Sequence, residues 1–202
     1  TTPTANCLNV YKDSFSDYGY TADIDWQATS NLLLYVTTRK GYKSGGFNST
    51  STSSAPEYKP ETLKDVEVGA KLRWGSGPVG GTLNVDYFHG WYSGIQQQIS
   101  GINNGQATVI TTNAGKALLD GVEVEANTNF GPLNISANYS HTNARYKKCP
   151  ANPTPAQCFL DGGVDVTSSL FLNTPKDSLS VTGRYTVPLG EPGDLVGQVS
   201  YY

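Results

Sequence analysis

Residues 112–126, TNAGKALLDGVEVEA, limit what this chain can fold into more than any other stretch. After the Asp120–Gly121 pair, Val122, Glu123, Val124, Glu125 and Ala126 alternate strictly. Successive side chains of a β-strand point to opposite faces. Both glutamates therefore face one way and the small apolar residues the other. One face needs water or polar partners, and the other is smooth and apolar. A strand in a membrane barrel meets both demands, with a polar lumen side and an apolar lipid side.

The same period of two recurs along the chain. Val66, Val68, Ala70, Leu72 and Trp74 oppose Asp65, Glu67, Lys71 and Arg73. Leu83, Val85 and Tyr87 oppose Asn84 and Asp86. Leu133, Ile135, Ala137 and Tyr139 oppose Asn134, Ser136, Asn138 and Ser140. Leu179, Val181, Tyr185 and Val187 oppose Ser180, Thr182, Arg184 and Thr186, and Leu195–Tyr201 repeats the pattern. Segments 19–28 and 32–42 form the first pair. No segment shows a helical period.

The connections sort by length. Ala28–Asn31, Gly75–Pro78, Phe130–Pro132 and Gly190–Gly193 read as tight turns. The stretches 43–62, 93–113 and 146–174 read as long polar loops. Short turns at one end and long loops at the other predict an all-β fold. It is an antiparallel up-and-down transmembrane β-barrel segment of about eight strands. Tyr35, Trp74, Trp91, Tyr92, Tyr139 and Tyr146 lie near predicted strand ends. Interfacial girdles and plain β-propensity both account for that placement.

Composition excludes several classes. Hydrophobic residues are 37% of the 202, and the longest apolar run is Leu32–Val36. A spanning helix needs about 20 apolar residues, whereas a barrel strand needs only about 9–11, half of them polar. A net charge of −3 does not support nucleic-acid binding. The chain lacks methionine and a leading signal segment, so a mature product or a fragment is expected. Cys149 and Cys158 flank a short Pro-rich loop and are expected to form a disulfide, which leaves Cys7 over.

No catalytic constellation stands out, so an enzyme is not expected, nor is a cofactor. His89 and His141 sit in strand patterns without partners at metal-ligand spacing. Gly41, Gly45 and Gly46 read as a strand-to-loop bend, because no helix follows to cradle a phosphate. Glu67, Lys71, Arg73, Glu123, Glu125 and Arg184 are expected to line the polar interior, with Glu123 and Glu125 paired to Lys71, Arg73 or Arg184. Asn48 heads an Asn-Ser-Thr sequon in a polar loop and would be the plausible glycan acceptor in a secreted protein.

Five phrases, in order, resemble the barrel of a TonB-dependent outer-membrane receptor. They are LYVTTRKGYKSGGFN at 34–48, YKPETLKDVEVGAKL at 58–72 and LNVDYFHGWYSGIQQ at 83–97. TNAGKALLDGVEVEA follows, and Asn173-Thr174-Pro175 opens a later strand. Each phrase is degenerate; together they span about residues 19–202. The resemblance implies a bacterial outer-membrane receptor for energised uptake of a ferric siderophore or similar chelate. Membrane lipid, lipopolysaccharide and a TonB-type energising protein are the implied partners. A barrel of that family has about twenty-two strands around a plug. The whole of 1–202 reads as part of such a barrel, with no plug segment and no terminal strand of the family's kind. If the long loops face outward, Arg39, Lys40, Tyr42 and Lys43 lie at the mouth, where cations and an aromatic suit an anionic chelate. An alternative is a β-rich extracellular subunit that self-associates through exposed strand edges.

Overall fold

The computed structural model of the chain describes residues 12–48, 57–103, 106–147, 171 and 174–202. The disulfide expected between Cys149 and Cys158, and Cys7, lie outside the described residues. Ten strands occur in chain order: β1 (Tyr20–Thr29), β2 (Leu32–Lys43), β3 (Gly46–Phe47), β4 (Glu57–Tyr58) and β5 (Glu61–Ser76). β6 (Val79–Asn103), β7 (Gln106–Phe130), β8 (Leu133–Tyr146), β9 (Asp177–Pro188) and β10 (Asp194–Tyr201) follow. No helix among the described residues is long and apolar enough to cross a membrane.

Eight strands form one antiparallel sheet in the order β1-β2-β5-β6-β7-β8-β9-β10, and β3 pairs with β4 beside it. This is the up-and-down arrangement that the turn and loop lengths predicted. No ladder joins β1 to β10 among the described residues, so the sheet is open. The turns fall at Ser30–Asn31, Gly77–Pro78, Gly131–Pro132 and 190–193. Gly77 and Gly131 open two-residue turns at φ +72° and +58°, a left-handed conformation that side chains disfavour.

The expectation of a long loop at 93–113 is corrected. β6 and β7 continue as a paired hairpin from Ser93 and Lys116 out to Asn103 and Gln106. The polar run SGIQQQISGINNG reads as loop only when polarity is taken for irregularity. Ile95, Gln97 and Ile99 still alternate with Gln96 and Gln98, and each finds a partner on β7. The ladder skips only Gly94 and Gly115, both at positive φ. Within 43–62, β3 and β4 make a small second sheet.

Register fixes the two faces. Across the strands Leu34, Ala70, Val85, Val124, Tyr139 and Leu179 are successive partners. So, one residue along, are Tyr35, Gly69, Asp86, Glu123, Ser140 and Ser178. The apolar row continues into Ile24, Val36, Val66, Val68, Leu72, Tyr87, Tyr185 and Val199, all exposed, with Val199 at 77%. The only buried apolar residues among those described are Ile95 and Ala117. A sheet normally hides its apolar face under a second layer. This one has no such layer among the described residues, and its apolar face needs another apolar medium.

Candidate functional site

The polar face is continuous across the sheet. Its row at mid-strand gathers Asp65, Glu67, Asp86, Glu123 and Glu125 from β5, β6 and β7. Arg39 from β2 answers part of that charge. Its Nε donates to Asp65 Oδ1 at 3.0 Å and its guanidinium also pairs with Glu67. Tyr35 donates its hydroxyl to Glu67 Oε1 at 2.7 Å, so one carboxylate is held from two directions. Lys71 Nζ stands 5.0 Å from the centroid of the Tyr35 ring. Farther along, amides and hydroxyls replace charges: Asn127 donates to Ser136 at 2.7 Å, and Asn134 to Asn129 at 2.7 Å.

Glu67, Lys71, Arg73, Glu123, Glu125 and Arg184 all fall on this face by register. The pairing expected within the set does not form. No ion pair among the described residues joins Glu123 or Glu125 to Lys71, Arg73 or Arg184. Glu125 instead accepts from Asn84 Nδ2 at 3.2 Å, its direct neighbour on β6. Lys71 is Asn84's partner on the far side, one strand too distant for contact.

The four residues expected at the mouth are split by the same alternation. Arg39 and Lys43 share the face of Glu67, opposite Asp65 and Glu61. Lys40 and Tyr42 share the face of Val36. Lys40 is only 8% exposed. Its ammonium pairs with Asp17 and lies 3.8 Å from the centroid of the Tyr18 ring. Asp17 also accepts from Thr62 Oγ1 at 3.3 Å, so residues 17 and 18 strap the ends of β2 and β5.

At the loop end two asparagines bind backbone as a strand would. Asn48 donates Nδ2 to Thr111 O at 2.8 Å and accepts from Thr111 N at 2.7 Å. Asn113 donates to Lys59 O at 2.7 Å and accepts from Lys59 N at 2.6 Å. The connection between β2 and β5 is thereby clamped to the long β6–β7 hairpin. Gln96 adds bonds to Ser44 O and Lys59 O, at 2.9 and 3.1 Å. Asn48 is 8% exposed, and its side-chain amide bonds the Thr111 backbone through both its nitrogen and its oxygen.

His89 and His141 both have partners that spacing along the chain did not reveal. His89 Nδ1 lies 2.6 Å from Asp120 Oδ1, and Asp120 also pairs with Arg145. His141 Nδ1 lies 2.8 Å from Asp177 Oδ1. These partners lie across the sheet, 31 and 36 residues away in sequence. No group of three His, Cys, Asp or Glu among the described residues is placed to hold a metal ion.

The model of the TonB-dependent receptor-like β-barrel family matches residues 1–202, the entire chain. The chain belongs to that family. The sheet of this receptor barrel resembles the crystal structure of the ferric yersiniabactin uptake receptor FyuA from Yersinia pestis. The TM-score is 0.62 at 19% identity, over 89% of this chain and 24% of that one. It also resembles the siderophore receptor PirA from Acinetobacter baumannii, with a TM-score of 0.50 at 13% identity, over 91% of this chain and 33% of that one. The TonB-dependent receptor barrel described here thus spans about a quarter to a third of those receptors' lengths. No curated protein matches the chain. The family also explains the open sheet. Strand number and barrel diameter are linked, and eight strands at the curvature of about twenty-two cannot close.

Proposed function

We propose that this chain is part of the wall of an outer-membrane receptor that takes up a ferric siderophore or a similar scarce chelate. The observation that carries the reading is the two-faced sheet, apolar and exposed on one side, polar and hydrogen-bonded on the other. The apolar face would meet lipid in a bacterial outer membrane. The polar face, with Glu67, Lys71, Arg73, Glu123, Glu125 and Arg184, would line the lumen. Further strands of the receptor would pair with β1 and β10, and its plug would fill the lumen. No covalent chemistry is called for. The ligand would bind at the loop end, and a TonB-type partner would drive plug movement to release it inward.

Arg39 and Lys43 are the residues we assign to the ligand side of the mouth, since they share the polar face. Lys40 and Tyr42 would support that wall from outside. Arg39 is already held by Asp65 and Glu67, so Lys43, which makes no ion pair among the described residues, is the cation left to meet an anionic metal chelate. The test is uptake of labelled ferric chelates by cells with and without the gene. Loss of one chelate's uptake on deletion, restored by the intact gene and dependent on the energising partner, is the expected result. A protein recovered in a soluble fraction, or unchanged uptake of every iron chelate tried, would overturn the reading.

A further inference from the structure

Two cations of the polar face, Lys71 and Arg73, make no ion pair among the described residues. They are same-face neighbours on β5, with backbone positions about 7 Å apart. Both are exposed. The turn beside them is fixed in place. Arg73 N donates to Asn31 O at 2.8 Å, and Gln27 Nε2 donates to Thr29 O and Leu32 O at 2.6 and 3.1 Å. On β6 the direct partners of Lys71 and Arg73 are Asn84 and Thr82. Together these residues line a hollow of about 340 Å³.

The acids of this face do not reach the hollow. Glu125 is two strands from Lys71, and Asn84, which stands between them, gives its amide to Glu125. Asp86 lies diagonally across on β6, toward the loop end, and Asp25 is two strands away on β1; neither pairs with a cation among the described residues. Lys71 stands instead over the Tyr35 ring, 5.0 Å from its centroid. The row of Arg73 continues through Thr82, Asn127, Ser136, Thr182 and Ser200, all neutral.

Depth places the pair. From Lys64 to Trp74 on β5 is ten residue steps, about 33 Å of strand and roughly 25 Å along the normal of a barrel tilted near 40°. That height matches the apolar belt of an outer-membrane barrel, and Lys71 and Arg73 lie in its turnward third. Charge on the polar face is therefore layered. Arg39 and Lys43 stand toward the mouth, Glu67, Asp86, Glu123 and Glu125 at mid-height, and Lys71 and Arg73 near the turns. An anion moving inward is opposed by the carboxylates and drawn on by the cations beyond them.

We propose that Lys71 and Arg73 form a second anion site, near the turn end of the wall, for the carboxylates of an anionic chelate that has left the mouth. The proposal rests on the receptor reading above and narrows its ligand to one that carries carboxylates. A small polycarboxylate is favoured over an acidic side chain of the plug because of the span. Two carboxyl groups of one molecule bridge about 7 Å, and a single side-chain carboxylate does not. The guanidinium can take one carboxylate in a fork, and the ammonium meets the other as a point charge.

The whole receptor, extracted from its native membrane and held in nanodiscs, serves for the test, with metal-free citrate as the probe. Reductive methylation reads the free amine of Lys71, and mass spectrometry of its peptide gives the rate. At constant ionic strength, citrate should slow methylation of Lys71 at least several-fold and leave the exposed Lys176 unchanged. R73Q should raise the citrate needed for half-protection about tenfold, the loss of one charge-assisted contact. R73K, which keeps the charge, should stay close to wild type. No protection by citrate, equal slowing at Lys176, or the same half-protection in R73Q overturns the site. A Lys71 already unreactive before citrate is added is held by a group of the receptor itself, and that also overturns it. The receptor reading is decided separately by uptake. If deletion of the gene leaves uptake of every chelate unchanged, that reading falls and the transit role with it; absent citrate protection in a receptor proven by uptake strikes this site alone.

Discussion

Gly121 lies directly across from Phe88 on the polar face, and a side chain there would have nowhere to go. A Cβ would stand 2.3 Å from Phe88 Cζ and 2.5 Å from the backbone oxygen of His141. The ring could swing away, but the carbonyl belongs to the β7–β8 ladder and cannot. G121A is expected to destabilise the sheet by about 1–3 kcal/mol, the usual cost of overpacking. Unfolding in urea from lipid vesicles, compared with wild type, checks it. At Asp17 the effect is electrostatic. The Lys40 ammonium, bonded to its carboxylate, holds Asp17 below the ordinary carboxylate range. The strap it forms is therefore stabilised above the free carboxylate's value and released as pH falls through the lowered one. Protection of the amides at residues 17 and 18, taken as exchange relative to the intrinsic rate at each pH, should fall in acid, and D17N should show the low protection at neutral pH. Exchange that is equally slow in D17N would show that Asp17 does not hold the strap. Neither feature was legible beforehand. A glycine in a strand and an aspartate before one carry no mark of the ring or ammonium that will lie across them.

Among the elements, β6 and β7 depart furthest from expectation. Each is 25 residues long, more than twice the length that a bilayer requires of a strand. The spanning half was legible from the alternation of Leu83–Tyr87 against Val122–Ala126. The distal half was not, because Gln97 interrupts the apolar phase of Ile95 and Ile99 and the run reads as polar throughout; its order comes from ladder bonds and from the asparagine clamp. Asn48 and Asn113 each make two bonds to one backbone residue, and each bond contributes about 0.5–1.5 kcal/mol. N48A/N113A should loosen the connection between β2 and β5 while leaving the spanning strands intact. Limited trypsin digestion should then cut after Lys43 at least several-fold faster. Cleavage at the wild-type rate would show that the clamp does not hold that connection.

For the whole molecule, the question is what covers the apolar face. Val68 lies near mid-belt, between Lys64 and Trp74, and is 44% exposed. If lipid covers it, V68K should cost about 2–4 kcal/mol of stability in vesicles. Asn138 on the polar face pairs with Glu125 on β7. N138K should cost almost nothing there. Equal costs at the two sites would mean that the faces are not separated by solvent type. Membership in the TonB-dependent receptor barrel family gives the reason for an open sheet of this width, and the larger receptors it resembles extend well beyond it.

The sequence by itself determined the strands of the belt, their short turns and the face each side chain takes. Period two is a local property, and a membrane barrel leaves both of its phases visible in the chain. Only the tertiary structure decided which residues meet. Glu125 bonds Asn84 in place of a cation, Lys40 turns away from Arg39, and Asn48 is buried against Thr111. Those outcomes depend on register between strands far apart in sequence. Register is set by the summed pairing of whole ladders, which no single segment contains.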